Sequence, residues 1–338
     1  MGITKILVAN DFRMFKDGLA ADTCSGTNIF IGNNGTGKTT LLKGMYAFVN
    51  LGLPLNGIIG IFDQILDSAP SVFQSRRVIK EYIESTKDSK DAEHSTSHEE
   101  ITSAIHQLSE GRQHVHGIYI PEKDILEHAK GLLTFVEQKQ TGFSEIYKAV
   151  LVAAQDVPTK EQTEMQKSIG EQIAKIIGGY IEWDQGDGSY YTVKTDGNRI
   201  PFANEASGYK KLGYLGLLVA SGQLNPNSIL FWDEPENSLS SDIYPTLVKI
   251  LLELTKSGIQ IFIATHDHNL VRYFDIRKDK SIPVQFHNLT KAKEGGIICH
   301  SSDKYLKLPD NHMEKAEEDF YEAVIADAMG VQKNGENT

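Results

Sequence analysis

The chain has 338 residues, of which 40% are hydrophobic and 23% charged, and its formal net charge is -11 at pH 7. This is the composition of a soluble globular protein with one large core or two modest ones. The negative charge opposes non-specific binding to duplex DNA, because Lys and Arg contacts to phosphate supply most of that affinity. The one compact basic group is Arg76, Arg77 and Lys80, for which a solvated helix face is the alternative to a nucleic-acid contact.

Cysteine content and hydropathy indicate the compartment. Cys24 and Cys299 are too few for a disulfide framework and lack the clustered spacing of a zinc site, which favours a reducing environment. No run approaches the roughly 18 to 20 apolar residues that span a bilayer, and the first residues lack the layout of a signal peptide. We therefore expect a cytoplasmic protein without a membrane partner.

The first predicted elements are strands that lead into a glycine-rich loop. Residues 6–9 are apolar, a turn near Asp17 and Gly18 follows, and residues 27–31 form a short run typical of a buried strand. From Thr39 onward apolar residues recur at helical spacing and stop before Gly52; they are Leu41, Leu42, Met45, Tyr46 and Val49.

The middle of the chain has a different composition, with many polar and charged residues and few apolar ones. Ser, Lys, Glu and His crowd the stretch from about 67 to 115, which predicts an inserted charged loop without the sustained heptads of a coiled coil. A strand at 116–121 follows, and then helical patterns continue to about residue 176. We assign residues 67–176 to an inserted lobe with a mobile charged segment around 84–112.

The second half alternates helices with apolar strands. A hairpin is predicted at 180–194 around Asp187 and Gly188. The elements after it are a helix at 208–220, a strand at 229–232, a helix at 242–256 capped by Ser240 or Ser241, a strand at 259–264, strands at 283–289 and 296–301, and an acidic helix at 313–329. This alternation predicts an α/β fold, with a core built from 1–66 and 177–300 and a helical tail at 301–338.

One segment matches the phosphate-binding pattern G-x-x-x-x-G-K-[ST] between a predicted strand and a predicted helix. Its glycines let backbone N–H groups curl around phosphate oxygens, Lys38 reaches the β and γ phosphates, and the hydroxyl of Thr39 suits Mg²⁺. The predicted nucleotide contacts are Gly32, Asn33, Asn34, Gly35, Thr36, Gly37, Lys38, Thr39 and Thr40.

Two adjacent carboxylates end the predicted strand at 229–232. Asp233 would bind Mg²⁺, and Glu234 would act as the general base that activates water. A capping pair is the alternative for an isolated Asp-Glu at a strand end, and the upstream glycine loop disfavours it.

A histidine follows the next predicted strand. His266 is placed to contact the γ-phosphate or the attacking water. The pairs His114 with His116 and His266 with His268 also allow a zinc hypothesis, which is disfavoured because no third ligand cluster accompanies either pair. Guanine specificity is disfavoured because no Asn-Lys-x-Asp element is present.

Together these motifs resemble the ABC-type branch of P-loop ATPases, which includes the heads of structural-maintenance-of-chromosomes (SMC) and DNA-repair proteins. The segment 235–239 is similar to the D-loop of that branch. The resemblance implies a P-loop NTPase of ABC/SMC-head type with a mixed β-sheet core flanked by helices. It also implies ATP and Mg²⁺ as ligands and a head-to-tail homodimer around two nucleotides.

The same resemblance implies a signature segment that contacts the partner's γ-phosphate. Ser207 and Gly208 match it, although Tyr209 stands where the branch has a second Gly, and a plain N-capped helix is the alternative. Arg13 lies in a segment similar to an Asn-Phe-Arg element with one residue inserted and is a candidate nucleotide contact, for which a solvated loop arginine is the alternative. No Gln follows the strand at 116–121, so Glu122 or Lys123 is left as the candidate there.

The biological role has three candidates. The chain resembles compact AAA-family ATPases of bacterial anti-phage defence, which implies regulation of a separately encoded effector or toxin. It lacks the acidic cluster of a Toprim nuclease, so it is not a complete overcoming-lysogenisation-defect nuclease. The alternatives are an ATPase head that acts on DNA and the energising subunit of a transporter, which the irregular signature disfavours.

Overall fold

The computed structural model describes residues 3, 5–8, 15, 19–50, 115–123, 126, 145–156, 158–293 and 295–329. Several sequence predictions lie outside the described residues. They are the turn near Asp17 and Gly18, the nucleotide contact of Arg13, the basic group Arg76, Arg77 and Lys80, His114, and nearly all of the charged stretch 67–115.

The central sheet contains β3 (Thr27–Ile31), β4 (His116–Ile120), β8 (Ser228–Asp233), β9 (Gln260–Ala264), β10 (Val284–Lys291) and β11 (Ile297–Ser302). Among the described residues its order is β11-β10-β3-β9-β8-β4. Neighbouring strands are parallel except for β11, which runs antiparallel to β10. The predicted mixed sheet is therefore confirmed, and the carboxyl ends of β3, β8 and β9 meet at one edge.

Two smaller antiparallel sheets accompany the central one in the described part of the chain. The first pairs β1 (Lys5–Val8) with β2 (Leu19–Asp22). The second contains β5 (Gly179–Asp184), β6 (Ser189–Lys194) and β7 (Arg199–Pro201). The predicted hairpin at 180–194 is confirmed as β5 and β6, and β7 adds a third strand.

The helices are α1 (Lys38–Asn50), α2 (Glu145–Ala154), α3 (Glu164–Ile177), α4 (Ser207–Ala220), α5 (Tyr244–Lys256), α6 (His268–Arg277) and α7 (His312–Ala328). Side-chain caps begin α3, α6 and α7. In α3, the side chain of Thr163 accepts from the backbone of Gln166, whose side chain accepts in return from Thr163. Gly178 then ends the helix in the left-handed conformation. No described helix is both long and apolar enough to cross a membrane.

The start of α5 differs from the prediction at Asp242. Residues Ser241–Ile243 form a 3₁₀ turn, and the α-helix begins at Tyr244 with a proline in its first turn. Proline lacks a backbone N–H and is tolerated there. Neither the turn nor the helix has a side-chain cap, because the Ser240 hydroxyl bonds the Asp242 carboxylate instead. The predicted serine cap is wrong.

The strand β4 falls inside residues 67–176, which the sequence division assigns to the insert. In the structure β4 pairs in parallel with β8 along its whole length, from His116 beside Ser228 to Ile120 beside Trp232. Helix α2 packs on β4 and α4, and α3 packs on α4 and α5. The boundary therefore needs correction: residues 116–120 belong to the core sheet.

The core is centred on the middle strands. Every residue of β3, β8 and β9 is buried, as expected for parallel strands covered on both faces. Phe262 stacks between Phe30 and Phe231, with ring centroids 6.3 and 5.4 Å away. His287 of β10 stacks on Phe30 at 4.6 Å. An imidazole thus lies inside an aromatic core.

Burial lowers the pKa of His287 from its ordinary value of 6.5 to about 4. Its ring nitrogens contact Ser301 Oγ at 2.7 Å and Asn28 Oδ1 at 3.2 Å. Between these two pH values the unfolded chain binds a proton that the folded chain excludes. Protonation therefore favours unfolding, and the contribution of His287 to stability is lost as the pH falls from about 6.5 to about 4.

We predict that the free energy of unfolding is about 2 kcal/mol lower at pH 5 than at pH 7 through His287 alone. The change His287→Gln keeps hydrogen-bonding capacity but removes the titrating ring, so the pH dependence of the variant is weaker by that amount. Urea denaturation of both proteins at the two pH values measures the difference. Parallel pH curves for the wild type and the variant would contradict the assignment.

Candidate functional site

The loop between β3 and α1 has backbone angles that its glycines permit. Gly35 and Gly37 adopt φ values of 76° and 88°, in the left-handed region that disfavours other residues. Asn33, Asn34 and Gly35 are exposed at the rim, whereas Gly32, Thr36 and Gly37 are buried. Helix α1 begins directly after the loop at Lys38, so its positive N-terminal end faces the loop. This arrangement suits an anionic group such as a phosphate.

Lys38 folds back into the loop. Its ammonium donates to the carbonyl oxygens of Gly32 at 2.6 Å and Asn33 at 3.2 Å. Burial lowers the pKa of Lys38, while the nearby carboxylates of Glu234, Asp233 and Glu236 oppose that shift. The structure thus places the ammonium group of Lys38 inside the glycine loop. Thr39 and Thr40 follow in the first turn of α1 and are half-buried.

Asp233 lies at the end of β8 and is only 2% exposed. One carboxylate oxygen accepts from the Thr39 hydroxyl at 3.1 Å, and the other accepts from the Tyr119 hydroxyl at 3.1 Å. Burial raises the pKa of Asp233 to about 6, and these two hydrogen bonds oppose the rise. A hydroxyl and a carboxylate this close are oxygen ligands of the kind that Mg²⁺ prefers, so the predicted metal residues fit that ion.

Glu234 follows in a strained conformation. Its φ of 48° is uncommon for a residue with a side chain. Two hydrogen bonds hold its backbone: its N–H donates to Ala264 O at 2.8 Å, and Lys211 Nζ donates to its carbonyl at 2.8 Å. Its carboxylate lies 3.1 Å from His266 Nδ1. The predicted general base and the predicted histidine are therefore in direct contact, and both side chains are partly open to solvent.

Glu236 is a buried carboxylate that sequence reasoning assigned no separate role. It accepts from the Thr265 hydroxyl at 2.7 Å and from the backbone N–H of His266 at 3.3 Å. Burial raises its pKa. Its position ties the loop after β8 to the loop after β9, so Glu236 fixes the backbone that carries His266.

The predicted signature residues begin α4. Ser207 is exposed and is not the cap of the helix, since Ala206 holds that position without a side-chain hydrogen bond. Gly208 is buried against the loop after Asp233, where a Cβ atom would collide with the carbonyl oxygen of Ser238. Within the described residues no hydrogen bond joins Ser207 to the glycine loop of its own chain.

The remaining candidate residues are Glu122, Lys123 and His268, and none of them has a described hydrogen bond or ion pair with the glycine loop, Asp233 or Glu234. Glu122 accepts from the Asn237 side chain at 3.4 Å, and Lys123 is exposed. His268 does not accompany His266 as a ligand pair; its ring bonds Glu314 at 3.0 Å and anchors α7.

The residues that sequence reasoning missed are Tyr119, Lys211 and Glu236. Each one acts through a contact with a distant part of the chain, so no local motif reveals it. For Tyr119, the available sequence signal was that it lies in an apolar segment typical of a strand, which could have paired with the strand that ends at Asp233.

The sequence profile of the family described as "AAA domain, putative AbiEii toxin, Type IV TA system" matches residues 27–272, more than half of the chain. No protein of curated function matches significantly. Among solved structures, an SMC head bound to the C-winged helix domain of ScpA matches with a TM-score of 0.52 and 13% identity, covering 92% of this chain and 99% of that one. The SMC head domain from Thermotoga maritima matches with a TM-score of 0.46 and 13% identity, covering 89% of this chain and 99% of that one.

The profile match contains the glycine loop, Asp233, Glu234 and His266. At 13% identity the first structural match supports the fold alone. The chain thus belongs to the AAA-domain family whose profile it matches, and its fold is similar to that of an SMC head.

Proposed function

We propose that this protein binds ATP with Mg²⁺ and hydrolyses it. The observation that carries the proposal is the meeting of two residue pairs beside the glycine loop. Thr39 contacts Asp233 at 3.1 Å, and Glu234 contacts His266 at 3.1 Å. The first pair offers oxygen ligands for a metal, and the second offers a base in contact with a histidine.

Each residue has a distinct task in this proposal. Lys38 and the backbone N–H groups of the loop hold the β and γ phosphates. Thr39 and Asp233 would hold Mg²⁺, which neutralises charge on the phosphate oxygens when bound. Glu234 accepts a proton from the attacking water, and His266 orients the Glu234 carboxylate and contacts the γ-phosphate.

ATP favours a head-to-tail dimer in this proposal. Ser207 is exposed at the start of α4 and has no hydrogen bond to its own loop among the described residues. A second copy that places Ser207 and Gly208 against the γ-phosphate would complete the site with donors at a helix N-terminus. A change from mostly open to mostly closed requires about 10⁴-fold differential affinity, which charge-assisted contacts to the γ-phosphate supply.

The dimer regulates a separately encoded effector or toxin, in bacterial anti-phage defence. The family description refers to a toxin of a toxin–antitoxin system. A head of the same fold was crystallised with a domain of another protein, ScpA, which illustrates how such a head holds a partner. The net charge of -11 weighs against DNA as the main ligand.

Replacing the loop lysine tests nucleotide binding. We predict that Lys38→Ala abolishes ATP binding, because the variant loses the cation that faces the β and γ phosphates. Fluorescence titration with mant-ATP, a fluorescent ATP analogue, measures the affinity. Lys249→Ala, which changes an exposed lysine on α5, is the matched control and binds like the wild type. Equal affinities for all three proteins would refute the assigned loop.

Replacing the general base separates binding from hydrolysis. We predict that Glu234→Gln binds ATP and hydrolyses it about 10² to 10⁴-fold more slowly, because the amide cannot accept the proton. Phosphate release measures turnover. Glu171→Gln, an exposed glutamate on α3, is the control and keeps wild-type turnover. Wild-type turnover in Glu234→Gln would rule out this residue as the base.

The same variant tests the dimer. With ATP and Mg²⁺, Glu234→Gln is expected to accumulate as a dimer, because the bound triphosphate persists. Light scattering after size exclusion measures the mass with and without ATP. Adding Ser207→Ala is expected to weaken that dimer. A Glu234→Gln protein that stays monomeric with ATP bound counts against the nucleotide sandwich, and proteins that co-purify with the dimer identify the effector.

A further inference from the structure

Tyr119 occupies an unexpected place beside the candidate metal residue. It lies in β4, opposite Phe231 in the parallel register with β8. Side chains alternate along a strand, so Phe231 and Asp233, two residues apart, project to the same face as Tyr119. Helix α1 covers that face: Tyr46 packs edge-on against Tyr119 at 5.5 Å and against Phe231 at 6.1 Å. The pairing of β4 with β8 thus places the Tyr119 hydroxyl beside the last residue of β8.

The phenol donates to one particular atom. The Tyr119 hydroxyl lies 3.1 Å from Asp233 Oδ2, and both groups are buried. The other oxygen, Oδ1, accepts from Thr39. A phenol carries its proton at neutral pH, so the Tyr119 hydroxyl donates to Oδ2.

We infer that Tyr119 is a positioning residue for metal binding: its hydroxyl holds Asp233 Oδ2, which directs Oδ1 toward Thr39 and the Mg²⁺ site. Without this anchor, the Thr39 hydrogen bond would be left to restrain rotation of the carboxylate about its Cβ–Cγ bond. Hydrogen bonds from residues behind a metal ligand fix the ligand's orientation, and their loss typically costs about 10 to 100-fold in metal affinity. The inference rests on the proposed binding of ATP with Mg²⁺ and does not require hydrolysis.

Tyr119→Phe tests this role because it removes only the hydroxyl and keeps the ring that packs on Tyr46. The probe is mant-ATP, titrated in the presence of saturating Mg²⁺ and, separately, of EDTA. We expect the dissociation constant with Mg²⁺ to rise about 10-fold. In EDTA the constant stays within about twofold of wild type, since Lys38 and the loop are unchanged. Thermal denaturation checks that the variant is folded.

Two further variants make the test specific. Tyr46→Phe removes a hydroxyl from the same aromatic cluster, but that hydroxyl bonds Asn50 rather than Asp233. For Tyr46→Phe, we expect the ratio of the mant-ATP dissociation constants in Mg²⁺ and in EDTA to equal that of the wild type. In an Asp233→Asn background, Tyr119→Phe is expected to add no further loss, because the carboxylate it orients is already absent.

The outcomes are separable from those of the proposed function. A Tyr119→Phe protein with the wild-type affinity in Mg²⁺ would overturn the inference. An equal loss in Mg²⁺ and in EDTA would also overturn it, because that result indicates general damage to the nucleotide site. A wild type that binds mant-ATP more tightly with Mg²⁺ but shows no Glu234-dependent turnover would refute hydrolysis and leave the role of Tyr119 intact.

Discussion

The site depends on the burial of one carboxylate. Asp233 is almost inaccessible to solvent, and an ionised group in such a place requires hydrogen-bond donors on its oxygens. Thr39 supplies one donor from the helix after the glycine loop, and Tyr119 supplies the other from the edge strand. Three segments that are far apart in the chain therefore meet at a single side chain. The Asp233 side chain thus links the helix after the glycine loop to β4, in addition to the pairing of β4 with β8.

A second network joins the two loops that follow β8 and β9. Glu234 contacts His266, Glu236 holds Thr265 and the backbone of His266, and Lys211 donates to the Glu234 carbonyl. Burial lowers the pKa of Lys211, but the surrounding carboxylates, Glu236 first, oppose that shift. This lysine is a cation that α4 contributes near the same carboxylates that surround Lys38. The left-handed backbone of Glu234 is thus stabilised by contacts rather than by its own preference.

Sequence patterns predicted the elements whose signals are local. The glycine loop, the strands ending at Ile31, Asp233 and Ala264, and the hairpin at 180–194 follow from residue spacing and turn chemistry. The start of α5 was mispredicted because the Ser240 hydroxyl bonds the Asp242 carboxylate instead of capping the helix, and residues 241–243 form a 3₁₀ turn. Whether each of these predictions was right depended on residues a few positions away in the sequence.

Distant partners that belong to no recognised motif escaped prediction. β4 was assigned to the insert, since nothing in residues 116–120 reveals that they pair with β8 more than a hundred residues later. Tyr119 and Lys211 gain their roles only from that register and from the packing of α4. In the sequence alone, nothing distinguishes Tyr119 from the other residues of an apolar strand, or Lys211 from any other lysine on a helix. Pairing over such distances is set by the tertiary fold rather than by local propensity.

The close approach of Gly208 to Ser238 has a mechanical consequence. With no side chain between them, the first turn of α4 rests directly on the main chain of the segment after Asp233 and Glu234. A hydrogen bond from Lys211 one turn later joins the same two segments. A rotation of α4 would therefore carry this segment with it instead of sliding past. The start of α4 and the backbone around Glu234 are therefore expected to be displaced together.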